Sequence, residues 1–193
     1  MVNSSNETTP VTQNLGSYKI TGYSPGAGNI RRALWYTINV CFFINPLFPF
    51  YQPKRWLLRL FGANISKGVI IKPRVNIKHP WRLTVGDNSW IGEGTWVDNL
   101  VDVVIGSNVC ISQGAQLITG NHNYKSPEFT LITSPIYIAD GAWIGAGAIV
   151  CPGVSIGRNA VVTVGSVITH DCDEDGIYSG NPAQRMKTRI ISD

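Results

Sequence analysis

An aliphatic residue recurs at every sixth position over most of this chain. The beat runs Ile65, Ile71, Ile77, then Val85, Ile91, Val97; it resumes at Ile105, Ile111, Leu117 and again at Ile138, Ile144, Val150, Ile156, Val162, Ile168. A helix would show a period of about 3.6 and a half-buried strand a period of about 2. A fixed short period sustained over about a hundred residues instead predicts a solenoid of stacked β-coils. Four places after each beat the residue is mostly small or β-branched, as at Val69, Val75, Ser89, Thr95, Val109, Ala115, Ala142, Ala148, Val154, Ala160, Ser166 and Cys172; Trp81, Val101 and Asn121 occupy the same position. These two positions in six are read as inward-facing, the larger filling the interior and the smaller fitting where the walls converge. The position directly after the beat is often glycine (Gly86, Gly92, Gly106, Gly145, Gly157), read here as corner residues whose backbone conformation glycine adopts cheaply. Three hexads close one triangular coil, so the 15 hexads between Ile65 and Cys172 predict about five coils. Each wall is then a parallel sheet with neighbouring rungs roughly 4.8 Å apart.

The beat is interrupted three times. Ile77 to Val85 and Val97 to Ile105 each carry two extra residues, and Leu117 to Ile138 carries 15. A loop of the last size leaving a regular coil marks a functional or disordered segment. It begins directly after Asn121-His122. The chain therefore divides into a flexible N-terminal segment (1–28), a helical and apolar cap (29–62), the solenoid (63–175) with a loop at 123–137, and a C-terminal tail (176–193).

The formal net charge of +4 hides an asymmetry: residues 1–82 hold 11 Lys/Arg against one acid, Glu7, whereas residues 83–193 hold five against 11 acids. Among the basic residues lies the run Ala33–Phe50, rich in aromatics but broken by Asn39, Asn45, Pro46 and Pro49. Two prolines and two asparagines argue against a membrane span. The run reads as a short helix capping the open end of the solenoid, with peripheral contact to anionic headgroups through residues 29–62 as the sharper alternative. Nucleic acid is not expected, because no recognised binding module accompanies the charge. Cys41, Cys110, Cys151 and Cys172 show no CxxC spacing, which argues for free thiols in a reducing, cytoplasmic setting and against a disulfide framework or zinc site. The polar stretch Met1–Gly16 shows no signal-peptide pattern and is expected to be mobile.

The stretches VGDNSWIGEGTWVDNL, IGSNVCISQGAQLITGNHNY, ADGAWIGAGAIVCPGVSIGRNAVV and SGNPAQRMK resemble the hexapeptide-repeat acyltransferases, in the branch that holds colanic-acid-biosynthesis acetyltransferases and the maltose, galactoside and nodulation O-acetyltransferases. The resemblance covers roughly Ile65 to Lys187. It implies an all-β fold, a left-handed parallel β-helix, although steric rules alone favour right-handed crossovers. It further implies acetyl-CoA as co-substrate, a sugar or glycan hydroxyl as acceptor, and a homotrimer with sites between subunits.

By the same resemblance His122 is the general base, taking the proton from the acceptor hydroxyl as it attacks the acetyl thioester. An imidazole titrates near working pH and can return that proton. Asp98 and Asn99, with Glu93 and Trp96 nearby, are implied to line the acceptor pocket. Ala146, Gly147, Val164, Gly165, Thr169 and His170 are implied to line the coenzyme A groove, and Arg185, Lys187 and Arg189 to meet its phosphates. Thr163 and Val164 are bulkier than the family pattern, and His170 stands where lysine is usual. Glu128 offers a carboxylate to orient His122. A γ-class carbonic anhydrase zinc site, also on this solenoid, needs a local histidine pair; His79, His122 and His170 are 43 and 48 residues apart, so no metal is expected. The alternatives are an N-acetyltransferase acting on an amino sugar or antibiotic, for which the same base serves, and a non-catalytic scaffold.

Overall fold

The computed structural model describes residues 12–192 apart from 19 and 21. The strands form three walls (A, B and C), visited in that order by every coil. Wall A stacks Asn64–Ile65, Leu83–Val85, Val103–Ile105, Ile136–Ile138 and Ser155–Ile156; wall B stacks Ile70–Ile71, Trp90–Ile91, Cys110–Ile111, Trp143–Ile144 and Val161–Val162; wall C stacks Asn76–Ile77, Trp96–Asp98, Gln116–Ile118, Ile149–Val150 and Val167–Ile168. Every neighbouring pair within these three stacks is parallel. Five coils are complete. A sixth is begun by the bridge Ile156↔Cys172 and by the strand Gly176–Gly180, which extends wall B.

All 15 beat residues face inward and are buried. The register Ile65↔Val85, Ile71↔Ile91 and Ile77↔Val97 puts beat on beat, so the interior is a continuous aliphatic column. Removing one such side chain to alanine in a column of this kind costs about 2–5 kcal/mol.

Two details differ from the reading of the hexads. The glycines directly after the beat do not supply unusual backbone angles. They sit where the next rung passes close: a Cβ at Gly92 would lie 2.6 Å from the Gln113 backbone nitrogen, and one at Gly145 equally close to that of Val164. The left-handed corner conformation falls two residues later, at Gly68, Asn88, Asn108, Gly141 and Asn159 between walls A and B, and at Arg74, Gly94, Gly114, Gly147 and Gly165 between walls B and C. On the C–A edge, where the insertions fall, Trp81, Val101 and Asn121 do not take the small inward position. His79, Asn99 and Thr119 do, two residues after the beat, and all three are buried. They form a polar ladder. Asn99 Nδ2 donates to the His79 carbonyl at 2.6 Å, the His79 amide donates to Asn99 Oδ1 at 2.9 Å, and Thr119 Oγ1 donates to the Asp98 carbonyl at 2.8 Å. Trp81 stands outside the coil with its ring stacked on His79, centroids 5.0 Å apart.

The first rung has no preceding partner, and its carbonyls are met by cap side chains. Helix α1 (Asn29–Ile38) continues helically through Asn39–Ile44, and α2 (Tyr51–Leu60) ends at Gly62, whose amide bonds the Arg59 carbonyl while that of Ala63 bonds Leu58. That pairing, with Gly62 at φ +90°, closes the helix by the Schellman pattern. Trp35, Phe43, Leu58 and Phe61 plug the end of the column. Arg59 donates to the carbonyls of Ile65 and Ser66, Arg55 to Val69, Lys54 to Ile71 and Lys72, and the Trp35 indole to Ile77. Three of the 11 basic residues in 1–82 are thus edge chemistry: orphan carbonyls call for donors. Lys54 is fully buried, and desolvation pulls its pKa down to about 8.

At the other end the C-terminal segment is a hairpin, Gly176–Gly180 against Ala183–Thr188, lying on wall B. The N-terminal segment also has defined contacts. The Trp81 indole donates to the Pro25 carbonyl and Arg82 to that of Ser24, each at 2.7 Å. The expected mobility of Met1–Gly16 falls largely on residues 1–11, which lie outside the described residues.

Burial drives the His79 pKa down to about 4, so the ring is neutral in the fold. Its folded value lies below its unfolded one, so the stability it contributes is complete above about pH 6.5 and is lost as pH falls towards 4, on the order of 3 kcal/mol. Thermal melts of the native chain and of His79→Gln across that window are expected to show a steeper acid loss in the native chain; parallel curves would contradict this.

Candidate functional site

The long interruption is an antiparallel ribbon. Gly120–His122 pairs with Leu131–Thr133 in the register Gly120↔Thr133, Asn121↔Ile132, His122↔Leu131. It leaves the C–A edge at the third coil and rejoins wall A at Ile136. Its root is fixed by the ladder below: Thr119 accepts from the Ser134 amide and donates to Asp98. A Cβ at Gly120 would lie 2.6 Å from Leu100 Cδ1, so glycine lets the ribbon sit directly on the preceding insertion.

His122 is half-buried at the far end of this ribbon strand. Its Nδ1 lies 2.9 Å from the Phe129 carbonyl oxygen. A carbonyl only accepts, so in the neutral ring Nδ1 carries the proton and Nε2 keeps its lone pair. The Phe129 ring stacks flat on the imidazole, centroids 4.2 Å apart, and Tyr18 packs beside it at 5.8 Å. Phe129 holds this double contact at φ +49°, a left-handed conformation that costs an aromatic residue free energy and is found where a site over-determines it. Asn14 ties the N-terminal segment to the same loop through the Pro127 carbonyl at 3.0 Å. Glu128 does not orient the ring. Its residue is exposed, and the Phe129 main chain takes the role assigned to its carboxylate.

Most of the other expected site residues flank wall C. Asp98 and Asn99 are neighbours on an extended strand end and so face opposite ways. Asp98 faces outward and pairs with Lys78 at 2.8 Å. Asn99 is 0 % exposed with its amide spent on the His79 main chain, so it cannot touch a ligand here and serves the corner instead. Trp96 lies outward on wall C. With Lys78, Arg32, Tyr36, Asn39 and Trp81 it lines a cleft of about 670 Å³ between α1 and the wall. Glu93 sits on the B–C edge in an exposed pair with Arg74 at 3.7 Å.

Ala146-Gly147 and Val164-Gly165 stack on that same B–C edge, where the Gly165 amide bonds the Ala146 carbonyl at 2.9 Å. Gly94 and Gly114, not among the expected site residues, continue this stack below. All four glycines are left-handed, and Gly147 and Gly165 have nothing within 4 Å of where a Cβ would stand. The signal stands at the third position after four of the five wall-B beats, with Arg74 in that place after Ile71. The result is an edge where backbone is open to a ligand. Val164 points outward at 74 % exposure, whereas Thr163 turns its hydroxyl inward to Ser166 and Ser179 at 2.9 and 2.8 Å. Thr169 and His170 are exposed on the C–A edge, two rungs beyond the ribbon, and contact one another at 3.3 Å. Arg185 and Lys187 are not on wall C. They lie in the terminal hairpin on wall B, Arg185 beside Asp173 at 3.8 Å. The three histidines are each two rungs apart along the axis, about 10 Å, and do not converge on an ion.

The family model described as bacterial transferase hexapeptide (six repeats) matches residues 135–170. A candidate colanic acid biosynthesis acetyltransferase of Escherichia coli, WcaF, is 34% identical over 178 residues, 92% of this chain and 98% of that one. Among solved structures, a maltose O-acetyltransferase from Clostridium difficile superposes with a TM-score of 0.74 at 25% identity, covering 84% of this chain and 88% of that one. A galactoside acetyltransferase in complex with coenzyme A superposes with a TM-score of 0.75 at 22% identity, covering 93% and 91%. The shared architecture is the left-handed parallel β-helix.

Nitrogen-15 NMR of labelled histidine is expected to show His122 as the Nδ1–H tautomer in its neutral form. An Nε2–H signal for that ring would contradict the contact with Phe129.

Proposed function

This chain belongs to the hexapeptide-repeat acetyltransferase family, and from that premise we propose that it transfers the acetyl group of acetyl-CoA to a hydroxyl of a sugar or glycan, with His122 as general base. The observation that carries this reading is the His122 ring itself, held through Nδ1 against the Phe129 main-chain carbonyl at 2.9 Å, which leaves Nε2 as the lone-pair nitrogen of the neutral ring. An alcohol is a weak nucleophile until a base accepts its proton. In the proposed reaction Nε2 takes the hydroxyl proton as the alkoxide oxygen bonds the thioester carbonyl. The tetrahedral intermediate then collapses by breaking the carbon–sulfur bond, and the imidazolium returns its proton to the departing coenzyme A thiolate. The Phe129 carbonyl, already bonded to Nδ1–H, suits the transient cation, since its dipole faces the charge.

In this reading the pantetheine arm runs along wall C, with backbone groups at Ala146-Gly147 and Val164-Gly165 bonding its amides and Thr169 and His170 bordering its far side. Outward-facing Val164 narrows that groove, and His170 contributes less positive charge than a lysine. Arg185 and Lys187 reach the nucleotide phosphates only from the last rung of wall B. Acceptor hydroxyls meet Asp98, and a sugar face stacks on Trp96 in the cleft beside α1, with Glu93 at its margin. We take the working unit to be a homotrimer whose sites lie between copies. The flat walls offer the exposed aromatics Trp90, Tyr137 and Trp143 for such contacts. Four free cysteines suit a reducing cytoplasm.

Thiol release from acetyl-CoA, measured against a panel of sugars and amino sugars, is expected to identify a hydroxyl acceptor. His122→Ala should lower kcat by roughly 10²–10⁴-fold with little change in Tm, and Glu128→Ala should leave turnover near that of the native chain. Turnover indifferent to His122→Ala would overturn the base assignment; turnover with amine acceptors alone would favour N-acetylation.

A further inference from the structure

We infer that the outer face of the helical cap rests on an anionic lipid surface. The cap has two faces. Lys54 and Leu58 on α2, and Trp35, Asn39 and Phe43 on the helical run from α1, face the first rung. The opposite faces carry Ile30 and Leu34 on α1, and Trp56 and Leu60 on α2, all well exposed. At 100° per residue, Trp56 and Leu60 each lie about 200° from Leu58, directed away from the column.

Between the helices the chain builds a rigid tip. Asn45 Oδ1 accepts from the Leu47 amide at 2.9 Å, and prolines stand at 46 and 49. Phe48 is clamped edge-on between Phe42 and Phe50, with centroids 5.0 and 5.4 Å away. Leu47 is thereby held at 86 % exposure. A loop ordered by a side-chain turn, two prolines and an aromatic chain, yet presenting leucine to the outside, is built to enter something apolar.

Charge selects the occupant. Residues 29–62 contain Arg31, Arg32, Lys54, Arg55 and Arg59 and no acid. None of these five takes part in the ion pairs found among the described residues, which all lie elsewhere. Exposed Lys67 and Lys72 follow on the first rung. Lys54 is buried against the first rung and Arg55 half-buried on it, so the exposed charge is carried by Arg31, Arg32 and Arg59 with Lys67 and Lys72; apolar side chains beside these cations match the headgroup boundary of an anionic bilayer. A second cap would oppose cation to cation. No described helix is long and apolar enough to cross a membrane, so the contact is in-plane. This inference does not depend on the acyl-transfer reading.

The test is co-sedimentation of the full chain with phosphatidylcholine vesicles, pure or carrying phosphatidylglycerol. Binding is expected to the anionic vesicles, weakening with salt. Leu47→Glu/Trp56→Glu should lower it roughly tenfold or more through the apolar contact. Arg32→Glu/Lys67→Glu, which leaves the apolar face intact, should lower it through charge. Circular dichroism melts monitor folding of both variants. Equal binding to neutral vesicles, binding unchanged in both variants, or vesicle-free self-association that Leu47→Glu/Trp56→Glu abolishes would each overturn the lipid assignment.

Discussion

A coil of three short strands has no stability of its own; its peptide groups are bonded to the rungs before and after it, and its two inward side chains per hexad touch the same residues one rung away. Stacking is therefore the interaction on which everything else rests. It explains why the beat cannot drift: beat must lie on beat, as Ile71 does on Ile91 and Ile91 on Ile111. It also explains why the stack needs ends. The first rung exposes carbonyls to nothing, and the chain meets them with Arg59, Arg55, Lys54 and the Trp35 indole. Three of the 11 basic residues on the basic side of the chain's charge asymmetry answer the donor demand of this one open edge.

The same constraint locates the proposed site. Insertions are cheap where successive rungs can insert together, and all three fall on the C–A edge. There His79, Asn99 and Thr119 turn inward and bond one rung to the next. The ribbon carrying His122 stands on that ladder, through Thr119 and through Leu100 against Gly120. An imidazole displaced from the prism is thus held by a chain of contacts running back to the first coil. Its last contact is the main chain of Phe129. A carbonyl fixes the tautomer without adding a full charge, and the stacked ring removes the rotamers that would let Nε2 swing away.

How much of this could be read in advance follows from which interactions are local. The beat, the coil count and the aliphatic interior are properties of single positions repeated at a fixed interval, so they stand in the sequence. The glycines after the beat were visible, but their reason was not: Gly92 and Gly145 answer to backbone one rung away, about 20 residues on in the chain, not to their own φ angles. Asn99 reads as a pocket residue beside Asp98, yet strand alternation turns the two in opposite directions, and only the register shows which faces out. Phe129 carried no signal, since a main-chain carbonyl looks the same in every residue. The basic cap was legible as charge but not as hydrogen bonding, because its carbonyl acceptors lie on a separate element, up to 18 residues away for Lys54.

The central claim is that wall C and the His122 ribbon form one transfer site, with a thioester lying along the wall and Nε2 at its carbonyl end. The most direct measurement is a crystal structure of the chain with coenzyme A bound. The account requires the pantetheine to follow wall C past Gly147 and Gly165, with its sulfur beside the Nε2 of a His122 ring, in the same or an adjoining copy. A cofactor seated on wall A or on the terminal hairpin, with no imidazole near its sulfur, would contradict it.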